Sequence, residues 1–401
     1  MAAPSAAAGV AATEDFPPPA PRQSAIAHAN TSTDRSAALI AAALALPGIL
    51  PATSLAQSVP DEGLIALRYY DYRDWQAGAD RMSVRSPSLY ALVPLSDTLT
   101  VEGSLVYDSV SGASPLHHDT VSGASGRGIG DYRSAADAKL TKYFGGSAIA
   151  VGAAYSREQD YISRAASFEW RTWSADRNRT YAIGVGAAKD RIDAPEGVNG
   201  PVLDQPRETY DYLLGITQVL DARSLVESSL TWSAGRGYYA DPYKLHDTRP
   251  DRRRIFAWLT HYNRYFPARD ATLRLAYRYL DDSFGDRSHM LEASWVQALS
   301  HGFTLTPTLR YLTQSAARFY RDPPFPEGFV PGELYTADAR LSAFGAVTLG
   351  LRLAKELPHG VTADLAINVY RQRGDWRIGG GSPGLAEFSA RWIELGLSKR
   401  F

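Results

Sequence analysis

The chain has 401 residues, 21% of them charged, a formal net charge of -1, no cysteine, and 11% aromatic residues that include 23 Tyr and 8 Trp. The missing cysteine excludes disulfides, thiolate metal sites, a Cys nucleophile and a lipoprotein anchor, and the near-neutral charge argues against nucleic acid as a partner. A mean hydropathy of -0.25 suits a soluble protein, and equally a membrane barrel whose polar lumen dilutes its lipid-facing residues.

Residues 1–33 are rich in Ala, Pro and Ser and read as a disordered or start-site extension. Arg35, the apolar run Ala37 to Leu50 and then Ser54, Leu55 and Ala56 have the order of a secretory signal over residues 34–56, with cleavage expected between Ala56 and Gln57. The run is too short to span a membrane, and Pro47 and Gly48 break it. The alternative is a buried helix of a soluble protein.

From Gly63 onward, segments alternate apolar and polar residues, the period of a strand with two unlike faces. Leu99, Val101, Leu105 and Tyr107 oppose Thr100, Glu102, Ser104 and Asp108; Leu273, Leu275, Tyr277 and Tyr279 oppose Thr272, Arg274 and Arg278. Leu341, Val347, Leu349, Leu351 and Leu353 oppose Arg340, Ser342, Thr348 and Arg352, while Val361, Ala363, Leu365, Ile367 and Val369 oppose Thr362, Asp364, Asn368 and Tyr370. Residues 252–266 leave their facing open, because Phe256, Trp258 and Tyr262 share a face with Arg254 and Arg264. The count is about sixteen strands, an even number as bacterial barrels require. Short turns at Pro94 to Asp97, Gly145 and Gly146, Ala175 to Asn178, Leu220 to Arg223, Pro267 to Asp270, Ser300 to Gly302 and Pro358 to Gly360 alternate with longer links. The longer links are residues 111–130, 191–206, 237–250, 315–334 and 374–384. Short periplasmic turns and longer external loops are the pattern of outer-membrane barrels, and no repeat of propeller length competes with it.

The last stretch, Leu385 to Phe401, places Ile393, Leu395, Leu397 and Phe401 on one face and Glu394, Gly396, Ser398 and Arg400 on the other, with Lys399 at the membrane edge. Its alternation and terminal Phe resemble the closing strand of bacterial outer-membrane barrels, which implies Phe401 as an assembly signal read by the barrel-assembly machinery. The edge strand of a soluble sheet is the other reading. Asp108 to Pro115 (DSVSGASP), Ser122 to Ser125 (SGAS), Ser156 to Ser163 (SREQDYIS), Ala337 to Gly345 (ADARLSAFG) and this last strand together resemble the bacterial family catalogued as domain of unknown function 3570, over residues 60–401. The resemblance implies an outer-membrane barrel of unassigned activity. It also implies a setting near a small lipoprotein, a thioredoxin-like protein and a flavin transferase, hence an envelope redox system.

The polar faces are the candidate site. Arg68, Glu102, Asp108, Asp137, Lys139, Glu158, Asp160, Arg274, Arg278, Arg310, Arg340, Arg352, Asp364 and Glu394, with Glu169, Arg171, Asp211, Glu227 and Glu292, are expected to line a lumen. Rings of charge would make a pore selective, whereas opposite charges paired across strands would fill it. His117, His118 and Asp119 form a weak metal candidate beside a plain solvated loop reading. His261 and His289 lie on strands without a nucleophile motif, and His289 falls in the apolar row as an interfacial residue. No cofactor is expected. Tyr69, Tyr107, Tyr155, Tyr181, Tyr210, Tyr212, Tyr277, Tyr279 and Tyr311 are expected as a girdle at the loop ends of their strands.

The sequence thus predicts an all-β transmembrane antiparallel up-and-down barrel over residues 57–401, exported to the outer membrane and in contact with its lipid. The expected function is a porin-like channel or carrier for small polar solutes. The alternatives are a closed scaffold for periplasmic or surface proteins, such as an envelope lipoprotein, and a membrane-embedded hydrolase. Strand number alone does not establish trimers.

Overall fold

In a computed structural model, residues 57–76, 79–112, 129–322 and 330–401 are described. The signal segment with Ala56, the trio His117, His118 and Asp119, and the SGAS copy at 122–125 lie outside these residues. Sixteen strands close into one antiparallel barrel, each paired with its neighbours in chain order. They are β1 (Leu64–Gln76), β2 (Ala79–Ser96), β3 (Leu99–Gly112), β4 (Ile129–Tyr143), β5 (Ser147–Arg157), β6 (Tyr161–Trp173), β7 (Arg179–Ala194) and β8 (Val202–Asp221). The second half is β9 (Ser224–Gly237), β10 (Arg252–Phe266), β11 (Ala271–Asp282), β12 (Arg287–Leu299), β13 (Phe303–Gln314), β14 (Phe344–Leu357), β15 (Val361–Arg373) and β16 (Phe388–Arg400). β16 closes on β1 from Leu64 opposite Arg400 to Gln76 opposite Phe388, so no strand edge is left bare.

Alternation decides which side chains meet lipid. Leu105, Leu291, Leu349 and Leu395 are each at least half exposed on the outer wall, an arrangement water would penalise and a hydrocarbon belt favours. β10 joins this pattern: Phe256 and Trp258 face outward, with Arg254 at the external rim and Arg264 at the periplasmic rim. Outward aromatics meet across strands, as Tyr107 with Tyr132 and Tyr212 with Trp232 do. Tyr181 departs from the expected girdle. It sits two residues into β7 at the short-turn end, beside Trp170's strand, because β7 rises from the periplasmic side.

The inner face is less uniformly polar than alternation suggested. Tyr70, Tyr72, Met82, Val84, Met290, Leu312, Phe344 and Phe388 form an apolar cluster inside the external half of the barrel. Above it, residues 238–251, 283–286, 315–322 and 330–343 fold over the mouth, where Tyr239, Phe284, Phe319, Tyr320 and Leu341 bury one another. Short bridges, Thr248 with Tyr335 and Tyr320 with Thr336, stitch these loops together.

Two strand-wall expectations are corrected here. Arg340 and Leu341 are not on β14, which starts at Phe344; they form a single turn, Ala339–Leu341, inside the loop cap. Asp338 accepts from the Arg340 N–H and Ser342 Oγ donates to the Ala339 carbonyl, so local side chains take the backbone groups a strand would have used. Glu158 and Asp160, likewise, lie in the external turn after β5 and not on the wall.

Candidate functional site

The lumen carries most of the charge the sequence placed there, and most of it is paired. Arg68 donates to Asp364 at 2.9 Å, across the intervening strand β16. Gly396 makes that reach possible, since a Cβ on it would lie 2.2 Å from Asp364 Oδ1 and 2.8 Å from Arg68 Nη1. Arg352 stands 3.7 Å from the same carboxylate and 3.4 Å from Glu394, joining β1, β14, β15 and β16. Arg310 holds Glu292 at 2.6 Å. On the other side Lys139 meets Glu102 at 2.6 Å, Arg171 meets Glu169 at 2.9 Å, and Asp137 accepts from Ser104. Nearer the external end Arg133 donates to Asp108 at 2.6 Å and Arg207 to Asp190 at 2.8 Å. Arg133 and Arg207 were not singled out in the sequence, although both follow the same inward alternation.

Arg278 is different. It is 4% exposed on the inner face of β11, and its Nη1 meets no partner among the described residues. Arg274, four residues nearer the periplasm on the same face, is half-buried.

The segment before β1 turns under the periplasmic mouth: Gln57 Nε2 donates to the Arg177 carbonyl and to Thr180 Oγ1, each at 3.0 Å, and Val59 packs on Tyr143, Ala148 and Trp173. That strap covers the ends of β4 to β7. Under β9 to β11 the inward residues Glu227, Ser229, His261, Asn263 and Arg274 keep intermediate exposure, as Glu292, Thr308, Asn368 and Glu394 do farther round the wall, so that the periplasmic half of the lumen forms a partly exposed vestibule. It ends upward at Arg278 and the buried Leu280 and Met290.

The external cap is held by charge. Asp338 receives Arg249 at 2.9 Å and also pairs with Arg340, with Lys244 at 3.6 Å. Arg249 grips Asp247 through both oxygens at 2.7 and 2.9 Å, Thr336 donates to Asp247 at 2.6 Å, and Lys244 meets Asp241 at 2.9 Å. Burial opposes the Asp338 charge, but Arg340, Lys244 and Arg249 together hold its carboxyl well below the usual carboxylate range. Arg340 and Arg249, whose burial works the other way, are kept protonated by these carboxylates. Asp241, Lys244, Asp247 and Arg249 fall in the predicted link 237–250, whereas Arg340 was expected on a strand.

Among the described residues, no group of three or more potential metal ligands comes together. His289 faces outward, its Nδ1 2.9 Å from the Tyr277 hydroxyl and its ring 5.0 Å from that of Tyr279, in an aromatic patch and not beside a nucleophile. Phe401 exchanges backbone hydrogen bonds with Gly63 at 2.8 and 3.1 Å, and its ring lies over that glycine, extending the β1–β16 seam by one pair.

A family described as "Protein of unknown function (DUF3570)" matches residues 117–204 and 200–392. The chain belongs to this family. The match starts later than the motif resemblance, which began at residue 60, but it spans the greater part of the barrel. No curated protein matches the chain. Among solved structures, the siderophore receptor PirA from Acinetobacter baumannii is 12% identical, covering 79% of this chain and 53% of its own, with a TM-score of 0.44. CdiB from the same organism is 8% identical, with 83% and 60% covered and a TM-score of 0.49. A monoaromatic hydrocarbon channel, the TodX deltaS2S3 mutant, is 11% identical, with 88% and 93% covered and a TM-score of 0.44. The chain spans about half the length of that PirA receptor. With its closed wall and continuous apolar belt, this family member is a β-barrel of the outer-membrane type in contact with membrane lipid.

Proposed function

We propose that the barrel is a porin-like channel for small polar solutes, shut at its external end in this conformation. The carrying observation is the vestibule: Glu227, Ser229, His261, Asn263 and Arg274 keep contact with water beneath a cap of external loops joined by ion pairs. A barrel serving only as a filled pillar has no need of a wet, charged half-lumen. Single-channel recording of the full chain tests this, with expected rare steps in the native protein and frequent ones once the cap is loosened. Permanent silence in both would remove the channel.

The second reading is a closed scaffold for an envelope lipoprotein or another periplasmic or surface protein. The apolar cluster around Phe344 and Phe388 and the strap at Gln57 favour it. Co-purification of a discrete lipoprotein with a silent barrel would select it. Either way, export through a cleaved signal and recognition of the Phe401 strand by the barrel-assembly machinery belong to the same proposal. No hydrolytic constellation enters it.

A further inference from the structure

The end wall of the vestibule carries a charge that its surroundings do not answer. Arg278 lies between Leu259 of β10 and Met290 of β12, and neither offers an acceptor. The adjacent carboxylate, Glu292, is engaged by Arg310 at 2.6 Å. A buried guanidinium without a counter-ion is strongly penalised, so this arrangement is incomplete as it stands. A second buried atom without a partner among the described residues is His261 Nε2, opposite Ala276 and so one strand over and two residues below Arg278. We infer that Arg278 and His261 bind a small oxyanion entering from the periplasmic mouth. The guanidinium fork presents two parallel N–H donors to two oxygens, and His261 adds a third when that nitrogen carries the proton. This deepens the channel reading, on which it rests for the role of the anion as a permeating solute.

The full chain, folded in detergent, tests it through the temperature at which its compact band converts to the unfolded one on a gel. Inorganic phosphate and acetate are titrated separately at constant ionic strength against chloride. One or both should raise the transition, and the half-effective concentration should rise roughly tenfold or more in Arg278→Gln, with partial retention in Arg278→Lys. Without added oxyanion, Arg278→Gln should be at least as heat-resistant as the native chain, since an unanswered buried charge is gone. Phosphate alone acting points to phosphate-bearing solutes, and acetate alone to carboxylates. No oxyanion effect, or one unchanged in Arg278→Gln, overturns the site. His261→Gln supplies a second variant if Arg278→Gln does not fold, with a weakened effect expected and an unchanged one counting against the site. Conductance is recorded in chloride in parallel. A silent barrel that still shows the Arg278-dependent shift keeps the site and loses the channel, whereas a conducting barrel without the shift loses the site alone.

Discussion

At the scale of single residues, the lumen depends on small side chains as much as on charged ones. Arg68 and Asp364 are both nearly fully buried, and they touch only because Gly396 leaves the space between them empty. Gly396→Val should force the pair apart and strand two charges away from water. Breaking a buried ion pair typically costs about 3–5 kcal/mol, so the heat-modifiability transition should fall clearly. Gly145 is the control, since a Cβ there meets nothing within 4 Å and Gly145→Ala should be close to neutral. Equal transitions in the two variants would refute the bridging role. Gly396 stood in the polar row of the closing strand, so its face was legible. Its reason was not, because a spacing argument along one strand cannot see two side chains that meet across it.

At the scale of elements, strands and turns were legible while folded loops were not. Alternation and the short–long sequence of connections follow from local chemistry, and the sixteen strands with their periplasmic turns agree with both. The cap is different, because residues 238–251 recognise 315–322 and 330–343 only in three dimensions. Arg340 therefore looked like strand material, although Asp338, two residues before it, bends the chain into a turn. Asp338→Asn should leave Arg340, Lys244 and Arg249 facing one another without their shared carboxylate. The expected loss is again about 3–5 kcal/mol of cap stability, seen as faster protease cleavage in residues 238–251 and 330–343 and as more frequent conducting steps. The pH dependence follows from the depressed carboxyl. A group held below its unfolded value, about 3.9 for Asp, stabilises the folded cap fully above that value and loses the effect as pH falls through the lower folded value. Cleavage at native rates should thus persist across neutral and mildly acidic pH and accelerate only in strong acid. Acceleration already near neutrality would mean that another group holds the cap.

At the scale of the whole molecule, the inner face is divided and not uniform: apolar and capped above, charged and partly exposed below, with a strap across the ends of β4 to β7. That division escaped the sequence because tyrosine suits both rows of a barrel strand: Tyr370 stood in the polar row of its strand, although it buries with Tyr70, Tyr72, Phe344 and Phe388. The strap was equally hidden, since Gln57 finds its partners 120 and 123 residues away. Its position makes a directional prediction. The strap closes the β4 to β7 half of the periplasmic mouth through two hydrogen bonds and one apolar contact at Val59, and such contacts are each worth only about 1–2 kcal/mol. Gln57→Ala combined with Val59→Ser should then release the segment without unfolding the wall, whose strand pairing begins at Leu64. Neutral polymers added on the periplasmic side should reach deeper into the double variant, and the size at which they stop reducing its conductance should rise. Polymers added on the external side should behave alike in both proteins, because the cap above is untouched. A change confined to the external side would place the strap outside the solute path and leave the vestibule under β9 to β11 as the sole periplasmic entrance.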